Sequence, residues 1–149
     1  MVSNIKDEFS NGLRDGIPIC LGYVSVAFTF GLMCTENGLP FWIAVLISLT
    51  NLTSAGQFAG TALIIAGGGL LEIGITTFVI NLRYMLMSLS ISQKVDAKLS
   101  VPKRMAMSFG VTDEIFGVSM QKKGNITFAY FMGLMMLPIL GWAGGTLVG

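Results

Sequence analysis

Apolar residues gather into long runs with little polar relief between them. The first is Ile17 to Met33, with Pro18 placed where a helix can start and Glu36-Asn37-Gly38 as the turn that follows. The second, Phe41 to Ala66, closes at Gly67-Gly68-Gly69, and the third is Leu70 to Ser92. A polar connection, Gln93 to Arg104, leads to a fourth run from about Met105 to Gln121, and the fifth extends from Ile126, broken by Pro138, Gly141, Gly144 and Gly145. Each run approaches the ~20 residues that carry a helix across a hydrocarbon layer. The pattern predicts an all-α, polytopic transmembrane helix bundle of about five spans, forming one domain over residues 1–149.

Three of these runs hide polar groups at their centres. In the second, Thr50-Asn51-Leu52-Thr53-Ser54-Ala55-Gly56-Gln57 is mostly polar or glycine. Unwound backbone survives in lipid only where protein or a water-filled cavity covers it, so one reading is an interrupted helix lining a pathway. The other is a continuous helix whose Ser and Thr bond back to their own carbonyls, which the large amides of Asn51 and Gln57 disfavour. In the third run a helical wheel puts Thr77, Asn81, Tyr84 and Ser88 on one side and Thr76, Arg83 and Ser90 on the other, so this helix should be surrounded by others or interrupted near Asn81. A guanidinium at mid-bilayer costs roughly 2.5–3.5 kcal/mol and cannot escape by deprotonation, so Arg83 needs a partner or a job. The fourth run carries Asp113 and Glu114, adjacent and therefore about 100° apart on a helix.

Composition turns this pattern into a class. Hydrophobic residues make up 53% and charged residues 11%, with a mean hydropathy of +0.75, against about 25% charged residues in soluble domains. The net charge is +1 without a basic stripe, which argues against nucleic acid. Histidine is absent, so metal ligation and histidine acid–base chemistry are disfavoured, no cofactor is implied and an enzyme is the least favoured class. Cys20 and Cys34 read as small packing residues, the methionines as filling for an irregular core, and Trp42 and Trp142 as interface anchors. Gly22, Ser25, Ala27 and Gly31 read as a close-packing face of the first helix. Glu72 suits a helix N-terminus, and the charged N-terminal segment does not resemble a cleavable signal.

A displacement of 86 positions lays Phe30-Gly31 on Phe116-Gly117, Gly38 on Gly124 and the break near Leu52 on Pro138. Such a repeat, separated by an odd number of spans, would be inverted, a plan that builds midplane sites in secondary transporters. If every run crosses once, Lys6, Arg14, Lys122 and Lys123 fall on one side and Lys94, Lys98, Lys103 and Arg104 on the other, and the positive-inside rule does not decide the orientation. A second run that returned to its starting side would change the tally.

The succession Gly12-Leu13-Arg14-Asp15-Gly16-Ile17-Pro18, Ser54-Ala55-Gly56-Gln57-Phe58-Ala59, Asn81-Leu82-Arg83-Tyr84 and Thr112-Asp113-Glu114-Ile115-Phe116 resembles the AzlC family. The resemblance covers most of the chain in order. It implies the large subunit of a bacterial branched-chain amino acid exporter in the inner membrane, partnered by a small AzlD-type membrane subunit. Members of that family continue beyond the point where this chain ends, so the closing helices are expected to be missing, and Tyr84 stands where histidine is common.

Such a carrier must hold a carboxylate and an ammonium beside an apolar pocket. The interruption at Asn51, Ser54, Gly56 and Gln57, with Asn81, is the expected substrate site, because backbone amides at a helix break suit a carboxylate. Arg83 either binds that carboxylate or pairs with Asp113 or Glu114, the pairing being favoured where acids and a guanidinium share a depth. The acid left over, if desolvated, would take up a proton and couple transport to it; the alternative is a carboxylate that caps or bridges within a water-filled vestibule. A channel or a non-transporting assembly subunit are the alternatives.

Overall fold

A computed structural model describes residues 4–149. These residues form seven helices: α1 Ile5–Glu36, α2 Phe41–Thr50, α3 Ala55–Ile65, α4 Leu70–Lys94, α5 Val101–Phe109, α6 Asp113–Gln121 and α7 Phe128–Val148. Only α1, α4 and α7 are long and apolar enough to cross a membrane. The five expected spans are thus three continuous helices and two pairs of short ones. At 1.5 Å per residue neither member of such a pair bridges a hydrocarbon layer of about 30 Å.

Pro18 and Pro138 did not set helix limits. The first helix begins at Ile5, where the Asn4 side chain accepts from the N–H of Lys6 (3.3 Å) and Asp7 and Glu8 meet the positive end of the dipole. Pro18 lies inside α1, and α7 runs unbroken through Pro138. A proline deprives the carbonyl four residues earlier of its helical donor. For Pro138 that carbonyl belongs to Leu134, and Gly16 packs against it so closely that a methyl added there would lie 2.6 Å from the oxygen. The helix is held by its neighbour where local propensity would end it.

The chain divides into two compact units, and α1, α4 and α7 contribute to both. The first comprises residues up to Gly22 together with Tyr84–Leu140. In it α1 and α7 run parallel with their backbones almost touching, since a methyl on Gly12 would lie 2.1 Å from the Tyr130 carbonyl oxygen and one on Gly133 2.2 Å from that of Phe9. Close approach through small residues is how helices associate where lipid supplies no hydrophobic drive. The fourth run, expected to be continuous, is instead the pair α5–α6, interrupted after Gly110, with Thr112 capping α6 through its bond from the Ile115 N–H (3.4 Å). The Lys94 ammonium donates to the carbonyls of Met120 (2.7 Å) and Lys122 (2.6 Å), tying the end of α6 to the end of α4. Lys122 in turn pairs with Glu8 at 2.9 Å. The α5–α6 pair therefore begins and ends at the same level, that of the N-terminal turns of α1, and is a re-entrant hairpin.

The second unit comprises Tyr23–Arg83 and Gly141–Gly149. Its core joins Phe30, Cys34 and Ala44 to Met33, Leu39, Ile47 and Phe58, with Phe30 and Phe58 edge to face at 5.2 Å. Here the expected interruption is present, between Thr50 and Ala55. Gln57 bonds Ser48 at 2.8 Å across it, whereas nine residues of straight helix would separate them by about 13 Å. The α2–α3 pair is a second hairpin. Glycines of α3 face α4 in antiparallel order, Gly56 at Asn81 and Gly60 at Thr77. The face of α4 carrying Thr77 and Asn81 is half-buried, while Leu71, Ile75, Phe78, Val79, Leu82, Met85, Leu86 and Leu89 are exposed. The third run is thus uninterrupted at Asn81, and within this chain its outward face is mostly apolar, with Arg83 among the exposed residues.

Of the packing face expected on α1, Ala27 and Gly31 are buried, whereas Gly22 and Ser25 are exposed. Trp142 is likewise buried and not an interface anchor. The repeat at 86 holds only at its turns: Gly38 and Gly124 share left-handed φ values of 80° and 79°, but α7 has no break at Pro138 to match the one near Leu52.

Re-entrant hairpins change the charge tally. Since α1 and α4 cross and both hairpins return, Lys6, Arg14, Lys94, Lys98, Lys103, Arg104, Lys122 and Lys123 fall on one side, and of the nine Lys and Arg residues only Arg83 remains. By the positive-inside rule that end is the expected cytoplasmic one. In a chain with Cys20 and Cys34 replaced by serine, an impermeant thiol reagent applied to intact cells is expected to label Asn37→Cys and to spare Lys123→Cys until the membrane is opened. Labelling of Lys123→Cys alone would reverse the orientation.

Candidate functional site

The tip of the α2–α3 hairpin gathers most of the polar residues expected at a site. Helix α2 ends as Asn51 N–H bonds the Ile47 carbonyl (2.8 Å), and the Asn51 side-chain oxygen accepts from the Thr53 hydroxyl at 2.6 Å. Ser54 then takes a positive φ of 45°, a conformation that is costly for a residue with a side chain, and makes no side-chain cap to α3. The positive end of the α3 dipole is thus without a side-chain cap from Ser54.

Gly56 comes next because nothing larger fits. A methyl there would lie 2.6 Å from Asn81 Oδ1, 2.8 Å from its Nδ2 and 2.9 Å from the Thr53 hydroxyl. The Asn81 amide thus lies over the first turn of α3, and its oxygen is enclosed without a hydrogen-bond partner among the described residues. An orphaned buried acceptor is uncommon and calls for a reason. Beside it runs a cleft of about 230 Å³, walled by the apolar Ile47, Ile64 and Ile73 and by the polar Asn51, Gln57, Thr61 and Thr77.

Gln57 has a second commitment that the sequence did not reveal. The Trp142 indole N–H donates to its Oε1 (3.0 Å), and its Nε2 donates to Ser48 Oγ (2.8 Å). Ser48 and Thr146 hydroxyls lie 2.7 Å apart, and Thr146 donates to the Trp142 carbonyl at 3.0 Å. A hydroxyl has one proton, so Ser48 must be the donor to Thr146. The result is a closed ring of donations, Trp142 to Gln57 to Ser48 to Thr146 and back to Trp142, with all four residues buried. Tyr23 packs edge to face on Trp142 at 5.1 Å. Gln57 therefore braces the hairpin as well as lining the cleft. The signal available in advance was that a tryptophan and a glutamine within apolar runs each require a partner.

The charged residues stand differently from expectation. Asp113 and Glu114 are not at the centre of a helix but in the first turn of α6, with exposed side chains, where acids complement the dipole. Arg83 is exposed on α4.

The family described as AzlC protein matches residues 18–149. The chain belongs to the AzlC family. It is 30% identical over 145 residues to Inner membrane protein YgaZ of Escherichia coli K12, a match covering 95% of this chain and 59% of that protein. An Archaeoglobus fulgidus relative, described as a membrane protein, is 36% identical over 141 residues, covering 95% of this chain and 61% of its own length. A Helicobacter pylori 26695 membrane protein is 27% identical over 150 residues, covering 95% and 64%. This AzlC chain thus spans about three fifths of the length of the curated relatives it matches. No solved structure matches it.

Proposed function

We propose that this AzlC-family chain forms the core of an inner-membrane carrier that exports branched-chain or other small apolar amino acids. The reading rests on one observation: an enclosed Asn81 oxygen without a partner among the described residues, at the N-terminus of a broken helix and beside a cleft lined by both polar residues and isoleucines. In this reading the first turn of α3 receives the substrate carboxylate. The ammonium donates to the Asn81 oxygen, and the branched side chain lies on Ile47, Ile64 and Ile73. Asn51 and Ser54 shape the tip, and Gln57 holds it. The small AzlD-type subunit that the family resemblance implies is part of the proposal.

The test is export of leucine, isoleucine and valine from cells lacking their own exporter, with the chain expressed with and without a small partner subunit. Gly56→Leu is expected to abolish saturable export by filling the space over Asn81. Asn81→Ala should raise the half-saturating concentration roughly tenfold, as for loss of one hydrogen bond to a charged group. Export that never saturates would instead point to a channel. Full export by folded Gly56→Leu and Asn81→Ala chains would remove the tip from the transport path.

A further inference from the structure

A second polar cleft, of about 470 Å³, lies at the basic end of the first unit and is lined by Asn11, Arg14, Asp15, Val118, Gln121, Lys122 and Tyr130. Its walls are fixed by contacts that leave particular groups over. The Lys122 ammonium is taken by Glu8 (2.9 Å), which also accepts from the Thr127 hydroxyl (2.9 Å). That ammonium also lies 4.1 Å from the centre of the Tyr130 ring. The buried Tyr130 directs its hydroxyl to Asp15 Oδ2 at 2.7 Å, which orients the carboxylate and leaves its other oxygen available. Arg14, on the neighbouring position of α1, makes no hydrogen bond or ion pair with any described residue. The amides of Asn11 and Gln121 likewise stand without partners among the described residues.

With Lys122 neutralised by Glu8, the lining offers one unpaired guanidinium, one half-used carboxylate and two amides. That set complements a small molecule carrying both an oxyanion and an ammonium, because a guanidinium matches a carboxylate or phosphate in a fork and a carboxylate accepts from an ammonium. A simple anion would meet Asp15 unfavourably, and a simple cation would meet Arg14. The position fits as well. From Gly16 to the end of α1 the helix is about 31 Å long, the thickness of the hydrocarbon layer, so Arg14 and Asp15 stand at its aqueous edge.

We propose that this cleft binds a small zwitterion, its oxyanion on Arg14 and its ammonium on Asp15, at the cytoplasmic face. Two sources share that chemistry: a free α-amino acid and the ethanolamine phosphate headgroup of a lipid. The inference goes beyond the hairpin-tip site and does not depend on it.

Equilibrium dialysis of the purified chain in detergent, with radiolabelled leucine in one arm and radiolabelled glycerophosphoethanolamine in the other, tests it. At least one ligand should show a binding component weakened roughly tenfold or more by both Arg14→Gln and Asp15→Asn, as for a charge-assisted contact. Both side chains are exposed, and Asn keeps an acceptor for Tyr130, so these variants are expected to fold. The component should persist in Asn81→Ala, which separates it from the hairpin tip, and should resist displacement by equimolar acetate. Leucine alone in this component identifies a free amino acid site, and glycerophosphoethanolamine alone a headgroup site. Binding by neither ligand, indifference to both substitutions, or equal displacement by acetate would overturn the proposal.

Discussion

Gly133→Ala and Gly12→Ala are each expected to destabilise the protein, although alanine is the better helix former. On an open helix surface the exchange gains about 0.8–1 kcal/mol. At these positions the new methyl would lie 2.2 Å from the Phe9 carbonyl oxygen and 2.1 Å from that of Tyr130, both backbone atoms of the partner helix. Backbone cannot rotate aside as a side chain does, so α1 and α7 must move apart, at a cost of roughly 1–3 kcal/mol or more from overpacking and lost contact. Gly22→Ala and Gly144→Ala lie on the same two helices with nothing within 4 Å of the added carbon, and should be neutral or stabilising. Unfolding titrations of the four variants in mixed micelles check the contrast in sign. If all four behaved alike, the close contact of α1 with α7 would be wrong.

Breaking the hydrogen-bonded ring should be comparably severe. Gln57→Leu keeps the bulk of the side chain but strands the Trp142 indole N–H, and an unsatisfied buried donor costs roughly 1–3 kcal/mol. Trp142→Phe strands the Gln57 oxygen and loosens the contact with Tyr23. Because each substitution orphans the other's partner, the double variant should cost less than the sum of the two. A coupling above about 0.5 kcal/mol in a double-mutant cycle would mark the residues as one unit. Simple additivity would show that Gln57 and Trp142 act independently.

What the sequence disclosed, and what it withheld, divides along local and non-local causes. The break at Asn51 to Ser54 was legible because its amides and hydroxyls have no inexpensive place inside a lipid-embedded helix. The second break was not, since Gly110, Val111 and Thr112 are individually unremarkable in a helix and the adjacent Asp113 and Glu114 suggested buried charge instead of a helix start. Pro18 and Pro138 misled in the opposite direction: proline discourages a helix locally, but the packing of Gly16 on the Leu134 carbonyl keeps α7 running. Whether a broken segment crosses or returns depends on contacts between distant residues, Ser48 with Gln57 and Lys94 with Lys122, that no periodicity encodes. The tie in the charge count was the one sign, readable from the residues alone, that the assumption of five crossings was unsafe.

At the candidate site, Asn51, Ser54, Gly56, Gln57 and Asn81 were all visible as polar or small residues in apolar runs, and the fold brings them to one hairpin tip and its cleft. Ser48, Trp142 and Thr146 were not visible as a set, because Ser48 and Thr146 lie 98 residues apart in the chain. Single residues announce that they need a partner; they do not say which.

The two re-entrant hairpins also constrain how the protein is made. Helices of nine to eleven residues are too short to be retained by the insertion machinery as independent spans. When α2 and α3 leave the ribosome, the helix whose Asn81 and Thr77 will cover their glycines has not yet been synthesised. The packing of this hairpin is therefore completed only after α4 has been made, so that assembly of the second unit runs out of chain order.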